Sequence, residues 1–295
     1  MKKQKSLFYI FLLFSAIFWG SSFVFTKHLL DDFSPISIIF IRSFISSIFL
    51  LVICFLFFRK YLVIEKKDKK LILAFSFFEP FLYFLFETYS LRYTSASIIS
   101  IIVATIPLFT ALVSKYYFKE AFSKINMIGA IVSLLGIFIM LLPEFSQESS
   151  SVLGVVLAFC AVLAAIGYGF FLKKLPATYH PVVIVTYQNV IGTVLFLPLF
   201  FVLGAQQGFP QIKDIFEPLN FSYLIMLSIF CSSLAFIFFI QGVQNLGLGK
   251  SNIFNNLIPV ITAIISFLLL KEDFPFHKIS GMVVVITGIF LVQKK

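Results

Sequence analysis

Glu79 and Glu87 stand eight residues apart in an apolar, phenylalanine-rich stretch, with Tyr83 halfway between them. At about 100° per helical residue, eight positions amount to about 80° of rotation, so the two carboxyls share one broad side of a helix. A charged carboxylate in such a stretch is costly unless a cavity or partner compensates it, so a protonatable or cation-binding site is one reading. The other sets Glu87 at the helix end, paired with Arg92. A second polar group, Asn252, Asn255 and Asn256, precedes Pro259. Their spacings of three and four place them on one face, where amides either meet a ligand or hydrogen-bond neighbouring helices. Trp19 with Ser22, Tyr168, and Ser100 complete the candidate contacts for a small-molecule substrate. Trp19 reads equally as a lipid-interface anchor. Arg42 either holds a substrate carboxylate or extends to the headgroups, and the sequence favours the second.

Other chemistries find no support. His28, His180 and His277 fall one to a connection, with no H-E-x-x-H and no paired His and Cys ligands, so neither a metal nor a cofactor is expected. Cys54, Cys160 and Cys231 lie inside apolar runs and read as small hydrophobes. Gly247-Leu248-Gly249-Lys250-Ser251 ends like a phosphate-binding loop. The first glycine of that motif would fall on Gln244, and no strand precedes it. Any transport must therefore be secondary, without an ATPase. Catalysis would need clustered acids and histidines at one membrane face, and the chain has none.

The elements that must hold these residues follow from composition. The chain is 60% hydrophobic and 12% charged, with 42 Phe and a mean hydropathy of +1.04. That is about half the charge of a soluble domain, so lipid is the expected surroundings. A net charge of +10 would suggest nucleic acid in a soluble protein. Here the lysines gather in connections, and no nucleic-acid partner is expected. A span needs roughly 20 apolar residues. The pattern predicts ten spans, near 6–26, 35–58, 71–90, 95–118, 125–142, 152–172, 182–203, 221–241, 251–270 and 278–292. With the N-terminus inside, the inner segments carry 17 basic residues against 5 outside, which puts both termini in the cytoplasm. The N-terminal apolar run continues to Phe25 without a small-x-small cleavage site, so it reads as a retained span.

The chain also repeats itself. A shift of 152 carries Pro107 onto Pro259, Thr110-Ala111 onto Thr262-Ala263, Lys119-Glu120 onto Lys271-Glu272, and Gly129 and Gly136 onto Gly281 and Gly288. The polar segment 143–151 separates the copies, giving units 1–148 and 149–295. Five spans per unit is odd, so the second unit enters from the opposite side, as in inverted-repeat secondary transporters. The fold class expected is all-α integral membrane, with ten helices as two inverted five-helix repeats. Pro107 and Pro259 kink their helices, while the paired glycines allow close helix packing.

Trp19-Gly20-Ser21-Ser22-Phe23, the turn Leu91-Arg92-Tyr93-Thr94-Ser95-Ala96-Ser97, the mid-helix proline, the Lys-Glu end and the Gly129/Gly136 helix together resemble the EamA-type drug/metabolite transporters. The resemblance covers nearly the whole chain. It implies a ten-helix permease with a central cavity lined largely by the first, third and fourth spans and their counterparts. It further implies export of amino acids, other metabolites or toxic compounds on ion or substrate gradients. Glu79 and Glu87 are not part of the general family pattern. The expected setting is a bacterial inner membrane, with lipids as surroundings and an oligomeric state, monomer or homodimer, left open. A lipid-headgroup flippase or scramblase is the alternative.

Overall fold

The computed structural model describes residues 2–118, 124–141, 151–175, 178–271 and 275–293. Among these, every regular element is a helix. The first two are long: α1 spans Lys2–Leu29 and α2 Pro35–Phe57. The third predicted span is divided. Helix α3 (Lys69–Ser76) passes through a wide π turn at Phe77–Leu82 into α4 (Tyr83–Tyr93). Glu79 inside that turn has extended dihedrals, φ −147° and ψ 119°. The following Pro80 drives its predecessor out of the helical region and supplies no N–H, so the regular ladder cannot continue.

The fourth predicted span is also divided, into α5 (Ala96–Val103) and α6 (Ile106–Phe118), and α7 follows as Lys124–Leu141. The second half begins with α8 (Val152–Lys174) and α9 (Pro181–Gln207), followed by a short α10 (Ile212–Ile215). Helix α11 (Pro218–Ile225) leads through a second π turn, Met226–Leu234, into α12 (Ala235–Leu246). Then come α13 (Leu248–Asn252), a tight turn at Ile253–Leu257, α14 (Ile258–Ile265) with a wide last turn to Leu270, and α15 (Phe276–Gln293).

Local chemistry sets several of these ends. Pro35, Pro181 and Pro218 occupy first-turn positions, where a missing N–H costs nothing. The Glu217 carboxylate accepts from the Leu219 and Asn220 amides at 3.0 and 2.8 Å, and Ser95 and Ser151 cap α5 and α8. Gly247, at φ +89°, ends α12 and turns the chain into α13. Pro107 and Pro259 lie in the first turns of α6 and α14 rather than mid-helix. The irregularity therefore lies N-terminal to each proline, at Ala104-Thr105 and at Ile253–Leu257.

Six helical stretches among the described residues are long and apolar enough to cross a bilayer: Ser6–Leu29, Pro35–Phe57, Lys66–Tyr93, Val152–Lys174, Pro181–Gln207 and Pro218–Leu246. Ala96–Thr110, Phe254–Leu270 and Phe276–Gly288 are apolar but shorter. The chain is a multi-pass membrane protein. Lys119-Glu120 and Glu272, which carried part of the repeat, lie outside the described residues.

The helices pack in recognisable pairs: α1 with α12 and α14, α4 with α8, α8 with α5 and α6, α2 with α9, and α7 with α15. At Gly20 a Cβ would come within 2.7 Å of the Ile261 side chain, and the Thr262 hydroxyl donates to the Gly20 carbonyl at 2.8 Å. At Gly136 a Cβ would meet the Val285 nitrogen at 2.6 Å and the Gly281 carbonyl at 2.8 Å. Gly129, Gly281 and Gly288 are buried on the same two helices. Away from the bilayer core, the connection after α2 is fastened to the second half. The Tyr179 hydroxyl donates to Asp68 at 2.7 Å, and the Tyr187 hydroxyl donates to the Leu62 carbonyl at 2.8 Å.

Candidate functional site

The first π turn and the segments beside the two proline breaks line one cleft, enclosing about 770 Å³ of space with its open mouth included. Trp19, Ser22 and Phe23 reach it from α1, at the i, i+3, i+4 spacing of one helix face. Ala165, Tyr168 and Gly169 do the same from α8. Glu79, Tyr83, Phe84 and Glu87 line it from the π turn and α4, with Phe236 and Phe239 from α12. Val103, Ile106 and Thr110 face Leu248, Asn252, Asn255 and Ile258 across the broken helices. Arg42 completes the wall from α2.

Several of these positions are images of one another. The 152-residue shift carries Phe84 onto Phe236, Glu87 onto Phe239, Val103 onto Asn255 and Ile106 onto Ile258. Both members of each pair line the cleft, so the cavity straddles the relation between the halves. Polarity does not follow that relation. Glu87 faces a phenylalanine counterpart, Asn255 a valine, and Glu79 corresponds to Cys231, whose thiol donates to the Phe18 carbonyl at 3.0 Å.

The charged groups are buried together. Glu79 is 7% exposed, Glu87 2% and Arg42 2%. They lie within electrostatic reach of one another, yet no ion pair within 4.0 Å joins Arg42 to either carboxylate among the described residues. Glu87 accepts from the Thr88 hydroxyl at 3.2 Å. The Arg42 Nε donates to the Ser232 hydroxyl at 3.0 Å, and the guanidinium carbon sits 4.0 Å above the Phe84 ring. Arg42 therefore does not extend to the headgroups. The sequence favoured that reading because a lone arginine near a span end normally escapes to water. Its neighbours on α4 and the second π turn hold it inside instead. Glu87 likewise has no partner in Arg92, which is exposed.

Aromatic rings form the remaining wall. Trp19 packs on Phe236 and Phe239 with centroids 5.0 and 5.1 Å away, and Tyr168 stacks on Phe75 at 4.6 Å. The Tyr168 hydroxyl is buried and has no partner among the described residues. Ser22 turns its hydroxyl back to the Trp19 carbonyl at 2.7 Å. Ser100 and Asn256 do not line the cleft. Ser100 is fully buried and bonds to the Ser97 carbonyl, while both polar atoms of the buried Asn256 side chain lack partners. Phe84 and Phe236 were not named from sequence, and Thr110 was named only as part of the repeat. The 152-residue shift, read onto α4 and α12, would have shown Phe84 and Phe236 as a matched pair.

A helical membrane protein with a mixed polar and aromatic cleft at the meeting of two similar halves belongs to the class of multi-pass transporters. A model of the EamA-like transporter family matches residues 6–142 and again residues 152–293, and the chain belongs to that family. An uncharacterized transporter of Bacillus subtilis, YetK, is 28% identical over 302 residues, covering 100% of this chain and 89% of its own. An uncharacterized transporter of Archaeoglobus fulgidus is 24% identical over 288 residues, covering 97% and 99%. A crystal structure of a protein 13% identical superposes with a TM-score of 0.70 over 98% of this chain and 97% of that one. This last likeness speaks for the fold alone.

Proposed function

We propose that this transporter exports a small metabolite or amino acid across a bacterial inner membrane by alternating access between two inverted five-helix halves. The observation that carries the reading is the cleft itself, whose walls pair positions 152 residues apart. Three further features support the halves as equivalent units. The family model matches each half once. The π turns fall at corresponding places in the third and eighth predicted spans, as do the breaks before Pro107 and Pro259. The helix pairings also survive exchange of the halves: α1 on α12 answers α8 on α4, and α2 on α9 and α7 on α15 answer themselves. Two interconvertible halves can open one cavity alternately to each side.

In this reading Glu79 and Glu87 hold the coupling proton and the substrate's cationic group, and Trp19, Tyr83, Tyr168, Asn252 and Asn255 complete the contacts. A metabolite-efflux screen in cells expressing the protein tests it, with Glu79→Gln as control. Accumulation of a specific compound outside is expected, and its loss in the variant. An efflux profile identical to that of cells without the protein, with the protein present in the membrane, would sink the proposal. Labelled lipids in proteoliposomes provide the competing arm, since headgroup flipping without metabolite movement would favour a lipid substrate.

A further inference from the structure

A cluster of cations stands apart from the cleft, in the connection from α2 to α3. Arg59, Lys60, Lys66, Lys67, Lys69 and Lys70 are all exposed, and none of them lines the cavity. The two acids among them are withdrawn. Glu65 pairs with Lys67 at 2.8 Å, and the buried Asp68 accepts from the Tyr179 hydroxyl at 2.7 Å. Lys66, Lys69 and Lys70 make no ion pair among the described residues. Orienting the chain in a membrane asks only that cations collect in such a connection. It does not ask for Lys69 and Lys70 in the first turn of α3, where the helix dipole opposes a cation and no acid offsets them. The segment is also held in place. The Tyr179 hydroxyl accepts from the Glu65 amide at 3.2 Å, and the Gln244 side chain donates to the Tyr179 carbonyl at 3.0 Å. The lysines are thus fixed at the end of a span.

Further along the helix the same face changes character. Helix α3 turns Ile72, Phe75 and Ser76 inward and packs on α8 and α9. Lys69, Leu73 and Phe77 follow one another at four-residue spacing on the outer side, where Leu73 is 53% exposed and Phe77 42%. Lys66 and Lys70, also four apart, continue that stripe at its basic end. From Lys69 to Phe77 it runs about 12 Å at 1.5 Å per residue. A soluble anion would use the lysines and leave the apolar part of the stripe idle. A phospholipid uses both, because its charge and its chains stand in this order along the membrane normal. We propose that an anionic phospholipid of the surrounding bilayer docks here, its headgroup phosphate among Lys66, Lys69 and Lys70 and an acyl chain along Leu73 and Phe77. The lipid is a fixed companion rather than cargo, since none of these residues lines the cleft. It braces α3, which leads directly into the π turn that carries Glu79.

The test is a titration of phosphatidylglycerol, or of phosphatidylcholine with the same chains, into the purified, delipidated protein in detergent, read as a rise in melting temperature. Each cation at a membrane surface is worth about a factor of five in lipid binding. Phosphatidylglycerol is therefore expected to reach half-maximal stabilisation at a concentration at least about tenfold lower than phosphatidylcholine. The triple variant Lys66→Gln, Lys69→Gln, Lys70→Gln is expected to lose that preference, and the corresponding triple Arg variant to keep it. The double variant Arg59→Gln, Lys60→Gln removes charge from the same connection but not from the stripe, and is expected to behave as the parent. If the triple Gln variant yields no folded protein, the three single Gln variants replace it, each with a several-fold loss of preference. Equal stabilisation by the two lipids overturns the proposal, as does a preference that survives the loss of all three lysines or of each in turn. A preference lost equally in the Arg59, Lys60 variant would mean diffuse attraction to the connection and no site on α3. Inorganic phosphate that stabilises as well as phosphatidylglycerol would overturn the lipid as occupant.

Discussion

A glutamine in place of Glu79 or Glu87 keeps the shape and one acceptor of the side chain but can neither ionise nor carry a proton. Both carboxyls are buried in the cavity wall, so the substitutions separate electrostatic from steric roles. Each is expected to lower proton-driven efflux at least about tenfold, the order of one lost charge-assisted contact, while the amount of folded protein stays near that of the parent. Full activity that still responds to an imposed pH gradient would remove the residue from the coupling step. A different pH effect belongs to His180, outside the spans. Its Nδ1 accepts from the Val182 amide at 3.3 Å and caps α9, while the ring packs on Phe58 at 4.4 Å. Burial holds its pKa below the ordinary 6.5. The neutral ring is thus the form that suits the fold. Its contribution is complete above the ordinary pKa and is lost as pH falls through the lower folded value. A cap is worth about 1 kcal/mol. Melting curves between pH 7.5 and 5 should show a decline that His180→Asn, which keeps a cap without a titrating ring, flattens. Parallel declines would show that His180 is not the group responsible.

At the scale of elements, Lys27 illustrates how a helix end can also govern an opening. Its ammonium, near the end of α1, donates to the carbonyls of Leu91 and Thr94 at 2.6 and 3.0 Å, at the end of α4. These are the orphan acceptors a helix C-terminus leaves, and a cation there also suits the helix dipole. Helix α1 packs with α12 and α14 as well as with α4 and α5, and Lys27 stands four residues beyond Phe23, the last α1 residue on the cleft, so this contact fastens α1 to α4 just past the cleft wall. Toward Lys173 the cleft instead adjoins a second recess, sharing Thr110, Gly169 and Leu248 with it. Lys27→Met should therefore raise labelling of a Phe23→Cys reporter by an impermeant thiol reagent from the Lys27 side, with Lys27→Arg close to the parent. Equal labelling in all three would leave Lys27 a helix cap and nothing more. The elements also mark what could be read from sequence. The apolar runs, the prolines and the repeat were legible because hydropathy, φ restriction and spacing are local properties. The π turn at Met226–Leu234 was not, since it has no proline, and two of its serines meet partners far away in sequence, Ser232 with Arg42 and Ser233 with Ser46. Arg42 was misread for the same reason: its partners, Ser232 and Phe84, lie 190 and 42 positions away and appear beside it only in the fold.

For the whole molecule, the question is whether the two halves run in opposite senses, and the packing of α7 on α15 bears on it. Gly136 closes on Gly281. If the halves are equivalent, the 152-residue shift requires a sister contact between Gly288 and Gly129. Seven residues back along α7 and seven forward along α15 lead from the first contact to the second, as two antiparallel helices demand. Two parallel helices would need the same axial offset at both contacts, but the offsets differ by 14 residues, about 21 Å at 1.5 Å per residue. If the halves are equivalent, the Gly136–Gly281 contact thus favours inversion without recourse to the charge count. The same contact makes Gly136→Val a severe change, because its Cβ would fall 2.6 Å from the Val285 backbone nitrogen. A loss of several kcal/mol, typical of overpacking against backbone, should appear as a lower melting temperature. Inversion itself is testable at the helix starts. Lys124 begins α7, Phe276 begins α15, both side chains are exposed, and the two are 152 residues apart. Single cysteines at these positions should react with an impermeant maleimide from opposite sides. Phe276→Cys should label in intact cells, and Lys124→Cys only in inside-out vesicles. Labelling of both from one side would mean that the halves run in the same sense, and alternating access by exchange of inverted halves would fall with that result.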